Sequence, residues 1–427
     1  MKSLAAVTSC LSDYDPNALP LAHAARILSD FITPISGCET LDLRAALGRV
    51  AGAALLSPLA VPAHDNSAMD GYALRGDDLP ADAAKPYRIV ATAFAGKPYA
   101  GAVGLGECVR IMTGAVMPRD CDTVVPQEFA KMENGCVLLP GGLQRGQHRR
   151  LAGEDLKAGA VAIEAGRVLT PSDLGLAASL GIATLGVTRR ARVVFFSTGD
   201  ELRSIGEPLD AGCVYDSNRY TLFGMLTRLG IEAIDLGVVR DDPAALEAAL
   251  RRACDDPAIA ADAIITSGGV SVGEADYTRE IMERLGDVAF WKIAMKPGRP
   301  MAFGRVKSGA SSAILFGLPG NPVAVMVTFY ALVRDALLRL SGARATAIPT
   351  LAAICDTPLK KNPGRTEFQR GIATRAADGW HVRITGAQGS GILRSMSEAN
   401  CLIVLPHESG SVNAGDVVEA LPFEGLV

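Results

Sequence analysis

A chain of 427 residues, 49% hydrophobic and 21% charged, can bury several cores, roughly three domains at about 150 residues each, and its composition excludes a disordered polymer. The formal net charge of -4 and the shortness of the basic clusters (Arg149-Arg150, Arg189-Arg190, Lys360-Lys361) exclude the basic stripe of a nucleic-acid binder. Nine cysteines without a CxxC pair and five dispersed histidines disfavour a disulfide framework and a His-rich metal site, and favour free thiols in a reducing, cytoplasmic setting.

The N-terminal MKSLAAVTSCLSDYD turns polar too soon for an export signal. PLAHAARILSDFI then places Leu21, Ala24, Ala25, Ile27 and Leu28 on one helical face, and LRAALGRVAGAAL keeps that spacing, so residues 15 to about 60 are expected to be helical. From Val61-Pro62 to about 157, short apolar runs are cut by Gly, Pro and Asp, which is β-rich texture. TPSD then starts a helix over 170–181 inside LGLAASLGIATLGV, a run too short to cross a bilayer at about 20 residues. The expected order is therefore a discontinuous helical linker domain (16–61 and 158–188) interrupted by a β-rich insert (62–157).

Over 189–341 strands and helices alternate. ARVVFFSTGDEL, IEAIDLGVVRDDP, DAIITSGGVSVGEAD and SSAILFGLPGNP each read as strand then loop, and NRYTLFGMLTRLG, PAALEAALRRAC, DYTREIMERLG and PVAVMVTFYALVRDALLRLSG as helices. Repeated βα units predict a central parallel sheet with helices on both faces. Residues 342–427, rich in short strands and turns, predict a small β-barrel or sandwich, so the class is multidomain α/β.

Ligands of open α/β sheets bind beyond the carboxyl ends of the strands. Four polar loops fall there: 197–201, 240–243, 267–276 and 318–322. TSGGVSVG (266–273), with Ser267, Gly268, Gly269 and Ser271, reads as an oxyanion cradle or as a plain tight turn. It is neither a Walker loop nor GxGxxG. Glu201, Asp241 and Asp276 follow three of the strands. Two such charges 4 Å apart repel by roughly 4 kcal/mol at an effective dielectric of 20, so gathered acids require Lys292, Lys296 or Mg²⁺ as compensation. The two lysines of WKIAMKPGRP, four apart, are expected to share a face. LPGNP, with Pro319 and Pro322, is a stiff pocket wall or a structural turn. In the insert, Asp65 and Asp70 of AHDNSAMDGYA, Thr113 of IMTGA and Asp155 of GED stand at turn positions, where Asx turns explain aspartates equally well.

PAHDNSAMDGYA, IMTGAVMPRDCDTVV, GED, FSTGDEL, VRDDP, ITSGGVSVGEADY, FWKIAMKPGRPMAFG, LPGNPVA and TGAQGSG occur in this order. Together they resemble the molybdopterin molybdenumtransferase family, called MoeA in bacteria and including the E domain of gephyrin, from about residue 16 to the end. The stretch 190–340 also resembles the pterin adenylyltransferase fold. The resemblance implies a homodimer whose cleft lies between the α/β domain of one subunit and the insert of the other. It implies site roles for Asp65, Thr113, Arg150, Asp155, Glu201, Asp241, Asp276, Lys292, Lys296, Pro319, Pro322 and Ser390. Two departures stand out: HisArgArgLeuAla (148–152) before GED, and Ala387 where a larger polar residue is usual. The implied reaction takes adenylylated molybdopterin and molybdate to molybdenum cofactor and AMP, with Mg²⁺ on Glu201, Asp241 and Asp276. A pterin adenylyltransferase and apo-molybdoenzymes are the implied partners. Adenylyl transfer and a non-catalytic scaffold are the rival readings. The large insert and the long SGGVSVGEAD loop argue against the first, and the retained acids and lysines against the second.

Overall fold

The computed structural model of the chain describes residues 3–9, 14–269, 276–344 and 348–424, with the backbone alone for Asp276 and Tyr277. PLAHAARILSDF folds as helix α1 (Leu21–Phe31) and buries Ala24, Ile27, Leu28 and Phe31, as 3.6-residue spacing dictates. Beyond it the expected helix over 43–55 is corrected. Only a 3₁₀ turn forms there (Leu43–Ala46), preceded by an extended strand β1 (Cys38–Asp42) paired antiparallel with Thr184–Thr188. The backbone donors of this stretch bond across the chain instead of up a helix: Gly48 N–H to Leu169 O, Ala51 N–H to Arg167 O and Gly52 N–H to Gly186 O. Gly48, at φ +72°, has left helical geometry altogether.

The β-rich insert is a six-stranded sheet. Its strands are β2 (Gly71–Leu74), β3 (Lys85–Ala93), β4 (Glu107–Ile111), β5 (Thr123–Pro126), β6 (Lys131–Glu133) and β7 (Cys136–Leu139), in the order β5-β2-β4-β3-β7-β6. Side-chain alternation fills one core with Ala73, Val109 and Val124 and another with Tyr72, Leu74, Cys108 and Val125, so both faces of the sheet are covered. Helix α2 (Pro171–Ser179) follows, its first turn held by Asp173, whose carboxylate accepts from the Thr170 N–H and hydroxyl. The chain returns through β8 (Thr184–Thr188), the partner of β1.

The α/β body contains β9 (Arg192–Thr198), α3 (Asn218–Arg228), β10 (Glu232–Val239), α4 (Pro243–Asp255), β11 (Ala263–Ser267), α5 (Asp276–Leu285), β12 (Gly286–Lys292), β13 (Pro300–Ser308) and β14 (Ser311–Leu318). Its closing helical run is α6 (Pro322–Thr328), a π-turn (Phe329–Val333) and α7 (Arg334–Leu340). The sheet order is β10-β9-β11-β14-β13-β12. The first four strands are parallel, but β13 runs antiparallel to both its neighbours, β14 and β12, so the sheet is mixed and not all-parallel. The reason is local: β13 and β14 are joined by the two-residue turn at Gly309, too short for a crossover helix. Helices do cover both faces. Val193, Phe195, Ile265 and Phe316 pack with α1, α3 and α6–α7, while Val194, Phe196, Ile264 and Leu315 pack with α4 and α5.

The C-terminal unit has β15 (Leu351–Cys355), β16 (Thr366–Ala376), β17 (Gly379–Ile384), α8 (Leu393–Glu398), β18 (Cys401–Leu405) and β19 (Val417–Pro422). The order β16-β17-β15-β19-β18 closes through β18–β16 pairing into a five-stranded barrel, which removes every open edge. A two-residue strand, Met295–Lys296, runs parallel to the start of β16 and ties barrel to sheet. Among the described residues no helix is long and apolar enough to cross a membrane.

Candidate active site

The polar turns after the four parallel strands open on one cleft of about 850 Å³. Thr198, Gly199 and Glu201 line it after β9, Asp241 after β10, Ser267, Gly268 and Gly269 after β11, and Pro319 to Pro322 after β14. Met295 to Pro300, Arg365 and Gln388 to Ser390 supply the other side. The geometry of the β11 turn depends on its glycines. Gly268 has φ +92°, its N–H donates to Leu318 O (3.1 Å), and a Cβ there would stand 2.5 Å from Thr198 O.

The start of α3 stitches these turns together. Asn218 Nδ2 donates to Ser267 Oγ (2.8 Å) and to Gly320 O (2.6 Å). Asp216, buried, accepts from Ser197 Oγ (3.1 Å), Asn218 N–H (3.1 Å) and Arg219 Nε (2.8 Å). Burial pulls the Arg219 guanidinium down, but Asp235 and Asp216 outweigh it and hold it above its ordinary value. Two polar atoms of lining residues, Thr198 Oγ1 and Asn218 Oδ1, are buried without a hydrogen-bond partner among the described residues.

Among the described residues, three cations (Lys296, Arg299, Arg365) and two carboxylates (Glu201, Asp241) line the cleft. Behind two of the cations lies Glu367, 1% exposed, whose carboxylate takes Lys296 Nζ at 3.3 Å and Arg365 Nε at 3.0 Å. The pairing of Met295–Lys296 with Thr366–Glu367 sets that meeting. Lys292 is elsewhere. It closes β12, the chain turns through Ile293 and Ala294, and its side chain lines an adjoining depression of about 340 Å³ with Arg299 and Arg365. The expected common face of Lys292 and Lys296 is thus replaced by two neighbouring pockets. Asp276 begins α5, but its side chain, like Ser271 in 270–275, lies outside the described residues.

The insert gathers its own group, none of which lines the cleft. Asp65 Oδ1 accepts from Ala152 N–H (2.8 Å), and Arg149 Nη1 stands 3.7 Å from its other oxygen. Thr113 donates twice to Asp70 Oδ1, from N–H and hydroxyl, both at 2.7 Å. Those bonds, backbone first, hold the Asp70 carboxyl below its usual range. Arg150 donates to Glu154 Oε1 (2.6 Å), and Asp155 N–H to Val61 O (3.1 Å). The pairing of Arg149–Arg150 with Asn66–Ser67 brings these segments together.

The sequence reading passed over Asp216, Asn218, Arg299, Arg365 and Glu367. The Asp-Ser-Asn run at 216–218 is a helix-start signal that could have flagged two of them. Arg299 lay inside a quoted motif in which only the lysines were weighed. Arg365 and Glu367 carry no local signal, because their place depends on the barrel's docking.

Known proteins resemble this chain along nearly its whole length. Residues 19–181 match the MoeA N-terminal region (domain I and II), 194–339 a probable molybdopterin binding domain, and 352–423 the MoeA C-terminal region (domain IV). A molybdopterin molybdenumtransferase of Haemophilus influenzae is 43% identical over 392 residues, covering 91% of this chain and 95% of that protein. One from Nostoc is 34% identical over 389 residues, covering 90% and 88%. Among solved structures, the molybdopterin biosynthesis moeA protein of Pyrococcus horikoshii OT3 superposes with a TM-score of 0.81 at 26% identity, covering 95% of this chain and 100% of that one.

Proposed function

The chain belongs to the molybdopterin molybdenumtransferase family, transferases of molybdenum cofactor biosynthesis, and from that premise we propose that its sheet-edge cleft takes adenylylated molybdopterin and molybdate and yields molybdenum cofactor and AMP. The observation that carries this reading is the convergence of Glu201, Asp241, the Ser267-Gly268-Gly269 turn, Lys296, Pro319, Pro322 and Ser390 on one cleft.

The roles follow from the chemistry of the groups. The backbone of the SGG turn together with Lys296, Arg299 and Arg365 suits oxyanions, either the substrate phosphates or molybdate. Lys292, in the adjoining depression, extends that positive lining outward. Glu201 and Asp241, and Asp276 at the start of α5, are the candidate holders of Mg²⁺. Among the described residues no three His, Cys, Asp or Glu groups converge, but two carboxylates completed by substrate phosphate oxygens fit the ion's usual donor set. When bound, it would polarise the leaving phosphate of the anhydride. Pro319 and Pro322 stiffen the turn that forms one wall of the cleft.

Asp65, Thr113, Arg150 and Asp155 enter as a preformed face offered to the cleft of a second subunit, which makes the homodimer part of the proposal. A pterin adenylyltransferase is the natural supplier of the substrate and apo-molybdoenzymes the recipients. The test is kinetic. Glu201→Gln and Asp241→Asn are each expected to cut AMP release at least about 100-fold with an unchanged unfolding midpoint. Full molybdenum insertion by either variant would refute the assigned roles.

A further inference from the structure

Strand β16 places Arg370 behind the cleft wall, where its guanidinium is 1% exposed and burial pushes its pKa down. Four hydrogen bonds hold it, all to neutral acceptors. Nη1 donates to Gln388 O (3.1 Å), Nη2 to Ala387 O (3.1 Å) and Gly389 O (2.9 Å), and Nε to Ser395 Oγ (2.9 Å). Among the described residues no carboxylate pairs with it. The Gln388 amide completes the clamp, accepting from Arg370 N–H (2.8 Å) and donating to Arg370 O (3.2 Å). The next carbonyl, Ser390 O, accepts from Val323 N–H (3.0 Å).

A buried cation without a counter-ion is costly, and a five-stranded barrel closes without one. What the cation does here is orient a loop. Three consecutive carbonyls, of Ala387, Gln388 and Gly389, turn toward it. In a trans peptide the N–H points opposite the C=O, so the N–H groups of Gln388, Gly389 and Ser390 point away from Arg370. Among the described residues these three amides donate to no protein acceptor, and the same three residues line the cleft. Peptide dipoles with their negative ends on a buried cation present their positive ends to the opposite side.

We propose that Arg370 is a positioning residue: it fixes and polarises the 387–390 loop so that the amides of Gln388, Gly389 and Ser390 form an anion-binding wall of the cleft. The ligand class is a tetrahedral oxyanion, either molybdate or a phosphate of the substrate. The inference rests on the cleft being the anion-handling site proposed above.

Isothermal titration of the full chain with molybdate and, separately, with AMP tests it, alongside the molybdate dependence of turnover. Arg370→Met is expected to weaken binding of one of the two probes about tenfold or more while kcat at saturation falls less than about threefold. The probe that moves identifies the oxyanion. Arg370→Lys, which keeps the charge, is expected to recover most of the loss. Gln388→Leu, which keeps the cation but frees the loop, is expected to weaken the same probe by a smaller factor. A purely structural Arg370 would lower the unfolding midpoint and the active fraction and leave both affinities alone, and that result overturns the inference. If Arg370→Met does not fold, unchanged affinities in Arg370→Lys and Gln388→Leu overturn it instead. Failure of the unaltered protein to bind either probe would overturn the cleft reading and this inference with it. Normal binding in both wild type and variants overturns the inference alone.

Discussion

The insert and the sheet-edge cleft are built from the same materials, carboxylates, hydroxyls and glycines at turns, yet they hold their charged groups differently. In the insert three carboxylates are met from within: Asp65 by the Ala152 N–H and Arg149, Asp70 twice by Thr113, Glu154 by Arg150 and the Leu151 N–H, while Asn66 Oδ1 and Arg149 Nε stay without a partner among the described residues. In the cleft, Thr198 Oγ1 and Asn218 Oδ1 have no partner among the described residues, and two cations share the buried Glu367. A face satisfied internally is rigid before anything binds. A cleft with unsatisfied groups is completed by what enters it. The difference suits a division of labour in which the insert presents and the cleft receives.

The sharpest way to break that comparison is to ask whether the two regions work across subunits. Asp65→Asn and Asp241→Asn are each expected to reduce turnover at least about 100-fold. If the insert of one chain serves the cleft of the other, co-refolding the two inactive variants in equal amounts should restore about one quarter of wild-type activity. Half of randomly paired dimers are mixed, and each of those holds one intact site. Mixed dimers that stay inactive would mean that each cleft works with its own insert.

A smaller effect separates the two regions at the backbone. Gly268 in the cleft and Gly114 in the insert both have positive φ, +92° and +78°. A Cβ at Gly268 would meet Thr198 O at 2.5 Å, whereas one at Gly114 meets nothing within 4 Å. Gly114→Ala should therefore cost about 1 kcal/mol of conformational strain alone. Gly268→Ala should cost about 2–3 kcal/mol and also displace the turn that carries Ser267. Urea unfolding of the two variants compares them directly. Equal losses would show that the cleft turn is no more tightly packed than an ordinary exposed one.

The same contrast explains what the sequence could and could not reveal. The cleft turns after β9, β11 and β14 were legible because each follows an apolar run, and such runs are the mark of strands buried on both faces. Strand β10, an edge strand interrupted by Asp235, was legible from the polar turn that ends it. The insert's β texture and the barrel were legible from short runs between turn residues. What was hidden depends on distant partners. The spacing of LRAALGRVAGAAL is helical, but Gly48, Ala51 and Gly52 spend their N–H groups on Leu169, Arg167 and Gly186, more than a hundred residues away. The reversed strand β13 of the central sheet was missed because the tight turn at Gly309 was not read as a hairpin. Lys292 and Lys296 parted because the chain bends between β12 and the strand that joins the barrel. Arg365, Glu367 and Arg370 reach the cleft only because the barrel docks there.

The smallest expected effect probes the insert's internal bonding through pH. Asp70 has its carboxyl held down by the Thr113 N–H and then by the Thr113 hydroxyl. A folded-state pKa below the unfolded one gives a contribution that is present above the unfolded value, near 4, and is lost as pH falls through the depressed folded value. Protection of the Thr113 amide from hydrogen exchange, corrected for the intrinsic rate, should therefore hold from neutral pH down to about 4 and fall only at more acid pH. In Asp70→Asn the amide keeps an acceptor but loses a charged one, so its protection should be weaker at neutral pH and should lack the acid step. The Asp70 carboxylate is then already committed to the insert's own fold at physiological pH. If wild type and variant lose protection together, the acid step belongs to the unfolding of the whole sheet β5-β2-β4-β3-β7-β6, and the bonding of Asp70 to Thr113 is not what keeps this face in shape.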